Sequence, residues 1–153
     1  MEKQELLQMV LKKRSGVIDI PPSFNFVKAE IGAGGGSGAN PGIKMRGGDG
    51  KIGGFCVFYI AINDDNKIEY VLGEGALPRP VDPADINNGV DGKDGGNSYV
   101  IFDPSRRKYV SHGGPGGRRL PRPRSVDLEG SSLHIEPGAS GGDGNITLTF
   151  SKM

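Results

Sequence analysis

Tryptophan is absent from this 153-residue sequence, cysteine occurs once, at Cys56, and histidine only twice, at His112 and His134. A single cysteine excludes a disulfide framework within the chain. It lies inside the most apolar run, FCVFYIAI, where a free thiol acts as a small buried hydrophobe. The two histidines stand in no metal-ligand spacing, and no serine or cysteine lies in a nucleophile motif. No charge of one sign dominates either: 19 basic and 18 acidic residues leave a net charge of +1. The chain therefore has no global field to draw in nucleic acid or an anionic membrane. Apolar runs are short, and none approaches the roughly 20 residues of a membrane-spanning helix. The first residues, MEKQELLQMVLKKR, mix acids with bases and contain no uninterrupted apolar stretch, so they do not read as a secretory signal. The expectations are no catalytic residues, no metal, no cofactor, no nucleic acid and no membrane insertion.

Aromatic residues are also few, six Phe and four Tyr, and apolar residues of all kinds reach only 35%. What abounds is glycine, 27 residues, with 11 prolines. That composition borders on the range of disordered chains. The apolar residues are nevertheless concentrated in short β-type runs, which argues for a folded unit, and 153 residues suffice for one domain with a core.

The sequence is organised around residues 31–54, IGAGGGSGANPGIKMRGGDGKIGG, in which eleven positions are glycine. Glycine loses the most chain entropy on folding, so an ordered run of it needs compensation. A flexible linker is one reading. The other is a set of extended, polyproline-II-like runs lying side by side, whose N–H and C=O groups bond between runs because such a helix has no internal bonds. The second is preferred. Strand-like segments flank the run, and the style recurs at 89–97 (GVDGKDGGN), 112–117 (HGGPGG) and 138–145 (GASGGDGN).

Along the rest of the chain, residues 2–14 read as the only helix, because Leu6, Leu7, Val10 and Leu11 fall at helical spacing with basic residues at the C-terminal end. Pro21-Pro22 then separates an N-terminal helical arm, residues 1–20, from a glycine-rich β domain, residues 21–153. The apolar stripe of the arm is the candidate for docking on a partner or for oligomerisation, against packing on its own domain. Residues 24–31 read as a strand with Val27, Ala29 and Ile31 on one face. FCVFYIAI, residues 55–62, is apolar on both faces and is expected to be covered on both. With KIEYVL, residues 67–72, it reads as a hairpin about Asn63–Asn66. A second hairpin joins residues 98–103 to 108–112, and Ile146, Leu148 and Phe150 alternate in a closing half-buried strand.

Motifs with chemistry are weak. Gly34 to Ala39 formally matches G-x-G-x-x-A, but Asn40-Pro41-Gly42 follows where a dinucleotide site needs a helix. The two GGDG stretches lack the second Asp of calcium-binding nonapeptides and read as Asp-Gly turns. Arg118, Arg119, Arg122 and Arg124 form a basic loop that could grip phosphates or acidic sugars, against a merely solvated loop.

The order of segments, a strand, GAGGGSG, a middle strand ending in VLGEG, DGKDGGNSYV, HGGPGG and GGDGNITLTF, resembles the glycine-rich domain of bacteriophage tail fibre, tail tip and other virion proteins over about Phe24 to Phe150. The glycine runs are shorter than is usual there, and Arg118–Ser125 has no counterpart. The resemblance implies a mainly β, sandwich-like domain with packed glycine segments and no enzymatic activity, located in the virion. It further implies a homotrimer that contacts other virion proteins and a host surface receptor or glycan. Capsid decoration, a minor capsid role or a carbohydrate-binding module are the alternatives. The glycines expected to build the layer are Gly32, Gly34, Gly35, Gly36, Gly38, Gly141, Gly142 and Gly144. A Cβ at Gly34, Gly35 or Gly36 is expected to disrupt folding.

Overall fold

The computed structural model describes residues 6–40, 45–77, 79, 90–121 and 140–152. They form ten strands: β1 (Leu6–Leu11), β2 (Ser15–Asp19), β3 (Phe26–Gly32), β4 (Met45–Gly47), β5 (Phe55–Ala61), β6 (Lys67–Val71), β7 (Ser98–Asp103), β8 (Arg107–Ser111), β9 (Arg119–Pro121) and β10 (Asn145–Ser151). Two four-stranded antiparallel sheets, β1-β10-β3-β5 and β2-β6-β7-β8, face one another, and β4 and β9 form a separate ribbon.

The core follows from alternation. Val27, Ala29 and Ile31 of β3 and Ile146, Leu148 and Phe150 of β10 are fully buried, opposite Ile68, Val100 and Phe102 of the second sheet. Burying each large apolar side chain stabilises the fold by about 1.5–3 kcal/mol. The inward rows read from the sequence for β3 and β10 are those observed, and β7 and β8 form the expected hairpin, through a cis Asp103-Pro104 bond.

Three expectations are corrected. There is no helix among the described residues: from Leu6 onward the reading of an N-terminal helix gives way to β1 and β2, while residues 1–5 lie outside the described set. Leu6 and Leu11 do fit a helical stripe, but Leu7, Met9 and Leu11 equally fit a strand face, and in register they oppose Phe150, Leu148 and Ile146. An isolated helix of that length is marginal in water, whereas a ladder on β10 satisfies the backbone and buries Leu11. Residues 6–19 are thus woven into both sheets of the body, with Pro21 no boundary between sheet and arm. Second, β5 and β6 are not paired; β5 lies against β3 and β6 between β2 and β7, so Asn63–Asn66 crosses between sheets. Third, β5 is covered on one face only, with Phe55, Val57 and Tyr59 exposed.

All strand ends that carry glycine segments point the same way. Residues 33–40, 48–54, 72–77, 90–97, 112–118 and 140–144 leave or enter the sandwich at one end and pack into a layer that extends it. The crossing turn Asn63–Asn66 and the β7–β8 turn occupy the opposite end, tied by buried Asp65. Its carboxylate accepts hydrogen bonds from the Ser105 N–H and hydroxyl (both 2.8 Å) and pairs with Arg107 at 3.0 Å.

Candidate functional site

The glycine layer is built around one run. Residues 31–40 are all buried, and hydrogen bonds from residues 33–40 rotate with a period of three. Ala33, Gly36 and Ala39 donate to the carbonyls of Gly54, Lys51 and Gly48. Gly34, Ser37 and Asn40 donate to Gly96, Lys93 and Val90, and Gly35 donates to Gly142. Carbonyls of Gly34, Gly35 and Ser37 accept from Gly114, Ala76 and Gly117. Three residues per turn is the repeat of a polyproline-II helix, which directs successive amides to three different neighbours. The central run is therefore enclosed by five others, and the amides of Gly34, Gly35, Gly36, Ser37 and Ala39 are all bonded to them.

The space available to a Cβ explains why these positions are glycine. At Gly34 it would overlap the Glu74 carbonyl, at Gly36 the Pro115 carbonyl, and at Gly141 the Gly35 carbonyl. Gly144 is likewise closed, by Ser98 Oγ and the Gly32 carbonyl. The eight expected layer glycines are not equivalent, however. A Cβ at Gly35 would lie 3.3 Å from the Gly142 amide, one at Gly32 would meet the Asn145 side chain, and one at Gly142 has nothing within 4 Å. Gly38 is buried within the central run.

Side chains that sequence reasoning passed over bind the runs together. Asp91, Asp94 and Asn97 stand three apart on one run, and their Oδ1 atoms accept the N–H of Arg119 (2.7 Å), Gly116 (2.7 Å) and Gly113 (2.8 Å), themselves three apart on an antiparallel run. Backbone bonds from Gly92 to Gly117 and from Gly95 to Gly114 fill the intervals. Ser37 Oγ accepts from Lys93, Ser98 Oγ from Gly73 and Asp143 Oδ1 from Gly75, each at 2.8 Å. The signal was present as D-x-x-D-x-x-N within GVDGKDGGN, a period of three that searches for helical or strand periods do not detect.

Beyond the layer, at the end remote from the sandwich, the ribbon pairs Met45 to Gly47 with Arg119 to Pro121, and Asn40 bridges Val90. The candidate arginines divide there. Arg119 is held: its Nε lies 3.2 Å from Asp91. The Asp91 carboxyl is kept below its ordinary pKa chiefly by the Arg119 amide, against a burial cost, with help from the Arg119 guanidinium and the Arg118 charge. Arg118 is exposed, and Arg122 and Arg124 lie outside the described residues. His112 is exposed and uses its carbonyl to accept from Gly54, while Cys56 is half-buried in β5 and His134 lies outside the described residues. Among the described residues no cluster of three or more His, Cys, Asp or Glu is placed to hold a metal ion.

The outer face of the first sheet is the other candidate surface. Leu6 (62% exposed) and Val10 (55%) stand on it at the β1 edge, and Phe55 (59%) and Tyr59 (68%) at the β5 edge. Of the four residues expected to dock or oligomerise, Leu6 and Val10 face outward, Leu7 is partly open at the rim of the core, and Leu11 belongs to the core. No curated protein matches this chain. A family model described as a glycine-rich domain matches residues 13–150, from the turn after β1 to the last core residue of β10, and the chain belongs to that family.

Proposed function

We propose that this protein is a non-enzymatic virion structural protein of a bacteriophage, a component of a tail fibre, tail tip or host-attachment assembly. The observation that carries the reading is the glycine layer itself. It is a hydrogen-bonded extension built of backbone, set at one end of a β-sandwich, and it carries the β4–β9 ribbon with Arg118 and Arg119. Most amides of the central run are committed to neighbouring runs, an arrangement suited to supporting a surface. The resemblance of the segment order to glycine-rich domains of phage virion proteins supports the same reading, and the family match is to a glycine-rich domain. In this view the ribbon end faces a host receptor or glycan, and the apolar outer face of the first sheet meets other virion proteins. The test is immunogold labelling of purified particles with an antibody to this chain. Label on tails or fibres supports the attachment role, label spread over the shell replaces it with capsid decoration, and unlabelled particles overturn it.

A further inference from the structure

The sandwich has four sheet edges, and they are not protected alike. On β5, Gly54 at one end donates to the His112 carbonyl, Arg107 at the other reaches the Ala61 carbonyl at 3.0 Å, and the Phe58 ring packs at a tilt against Tyr109 between them, centroids 5.1 Å apart. On β8 the outward positions are Lys108 and Val110, and on β2 they are Ser15, Val17 and Asp19, in strands of five residues. A charge on a short edge strand is a usual guard against pairing with another chain. β1 has no such guard. LLQMVL contains no charge, proline or glycine, and among the described residues its only strand neighbour is β10.

The hydrogen-bond phase shows which groups of β1 are open. Ala33 donates to Gly54 and Ile62 donates to Asn25, so odd-numbered residues of β3 face β5 and even-numbered ones face β10. Carried through the registers, alternation directs the backbone of Leu7, Met9 and Leu11 to β10 and that of Leu6, Gln8 and Val10 outward. The core is also open along this edge: Leu7 shares the inward face with Met9 and Leu11 yet is 37% exposed.

We infer that β1 pairs antiparallel with β1 of a second copy across a two-fold axis at Gln8, joining the two first sheets into one eight-stranded sheet. The edge is self-complementary in both its polar and its apolar groups. With Gln8 opposite Gln8, Leu6 of each copy falls opposite Val10 of the other on the outer face, and all three residues present their free N–H and C=O groups as hydrogen-bonded pairs. On the inward face Leu7 of one copy falls opposite Met9 of the other, which closes the exposed rim of both cores. Apolar cross-strand pairs of this kind are the unit of sheet stabilisation. A closed two-fold contact uses the edge once per copy and leaves none free to propagate. It gives two copies rather than the three that the segment order implies. The inference does not depend on the function proposed above.

Sedimentation velocity on the full chain tests it, with three variants. The wild type should be dimeric. Gln8→Pro removes an amide that faces away from β10, a position at which an edge strand tolerates proline, and should weaken dimerisation by about tenfold or more while preserving the circular dichroism of the fold. Val10→Lys, exposed in the monomer, should do the same. Gln8→Cys in a Cys56→Ala background should oxidise to a covalent dimer, because the paired Cα atoms would stand about 5.5 Å apart, within disulfide reach. A wild type that is monomeric at about 1 mM overturns the inference, as does a trimer. So does a dimer that survives both edge substitutions and fails to cross-link at position 8.

Discussion

The two halves of this molecule are held together by different forces. The sandwich is stabilised by apolar side chains: its core residues are Val, Ile, Leu, Phe, Tyr and Ala, and its two sheets stand apart by the width of those side chains. In the glycine layer the buried run from Gly32 to Asn40 contributes almost no apolar side chain, and neighbouring backbones touch directly through amide hydrogen bonds between runs. The first half tolerates changes of shape that conserve apolar volume; the second tolerates no added atom where two runs meet. A packed layer of glycine thus demands geometric uniqueness where a core demands only filling.

The sharpest way to break the comparison is to add a side chain to the layer. Gly36→Val should abolish the cooperative melting transition, a loss of about 4 kcal/mol or more, because the Cβ would occupy the position of the Pro115 carbonyl and backbone cannot yield as a rotamer does. Gly142→Ala, in open space, should melt within about 0.5 kcal/mol of wild type, and Gly35→Ala should fall between the two. Equal effects at Gly36 and Gly142 in thermal unfolding would show that the runs do not pack as described.

Removing a side chain from the sandwich is the matching experiment. Phe150→Ala, fully buried, should cost about 3–5 kcal/mol in denaturant unfolding through lost burial and the cavity left. Phe150→Leu should recover most of it. No comparable rescue by a smaller or larger apolar residue is expected at Gly36.

The acceptor ladder should give a smaller effect. Asp94→Ala removes the acceptor of the Gly116 amide and should cost about 0.5–1.5 kcal/mol, with Asp94→Asn, which keeps an acceptor oxygen, close to neutral. Hydrogen exchange at Gly116 measures it directly: its protection should fall in Asp94→Ala and stay in Asp94→Asn.

The smallest expected effect is on pH dependence. Burial works to raise the Asp65 pKa, but the Ser105 amide and hydroxyl and the Arg107 guanidinium outweigh it and hold the carboxyl below its ordinary 3.8. A carboxyl depressed in the folded state stabilises fully above its unfolded value and loses that contribution as pH falls through the folded one. Melting temperature should therefore fall as pH drops below 3.8, and Asp65→Asn should flatten that acid limb. Asp91, depressed chiefly by the Arg119 amide, should contribute to the same limb from the glycine layer.

Much of this arrangement was legible in residues 26–32, 98–111 and 145–151, where a period of two states which side chains face inward and the pattern needs no partner to be read. The glycine segments were legible as a layer because they recur between strands. Their internal order was not, because the repeat of three falls on Asp91, Asp94 and Asn97, side chains that act through backbone on another run. Residues 6–11 misread for a related reason: Leu6, Leu7, Val10 and Leu11 satisfy helical spacing as well as Leu7, Met9 and Leu11 satisfy a strand's. Local spacing admits both, and β10 decides between them by offering an unpaired edge. The crossing from β5 to β6 has the same cause, since a short polar turn permits both a hairpin and a change of sheet. Alternation, glycine content and the scarcity of charged or nucleophilic clusters were thus determined by the sequence alone, because each is a property of residues close along the chain. Which strands are neighbours, which glycines are crowded and which edge stays open were decided only in the tertiary structure, because each depends on a backbone brought from elsewhere in the chain.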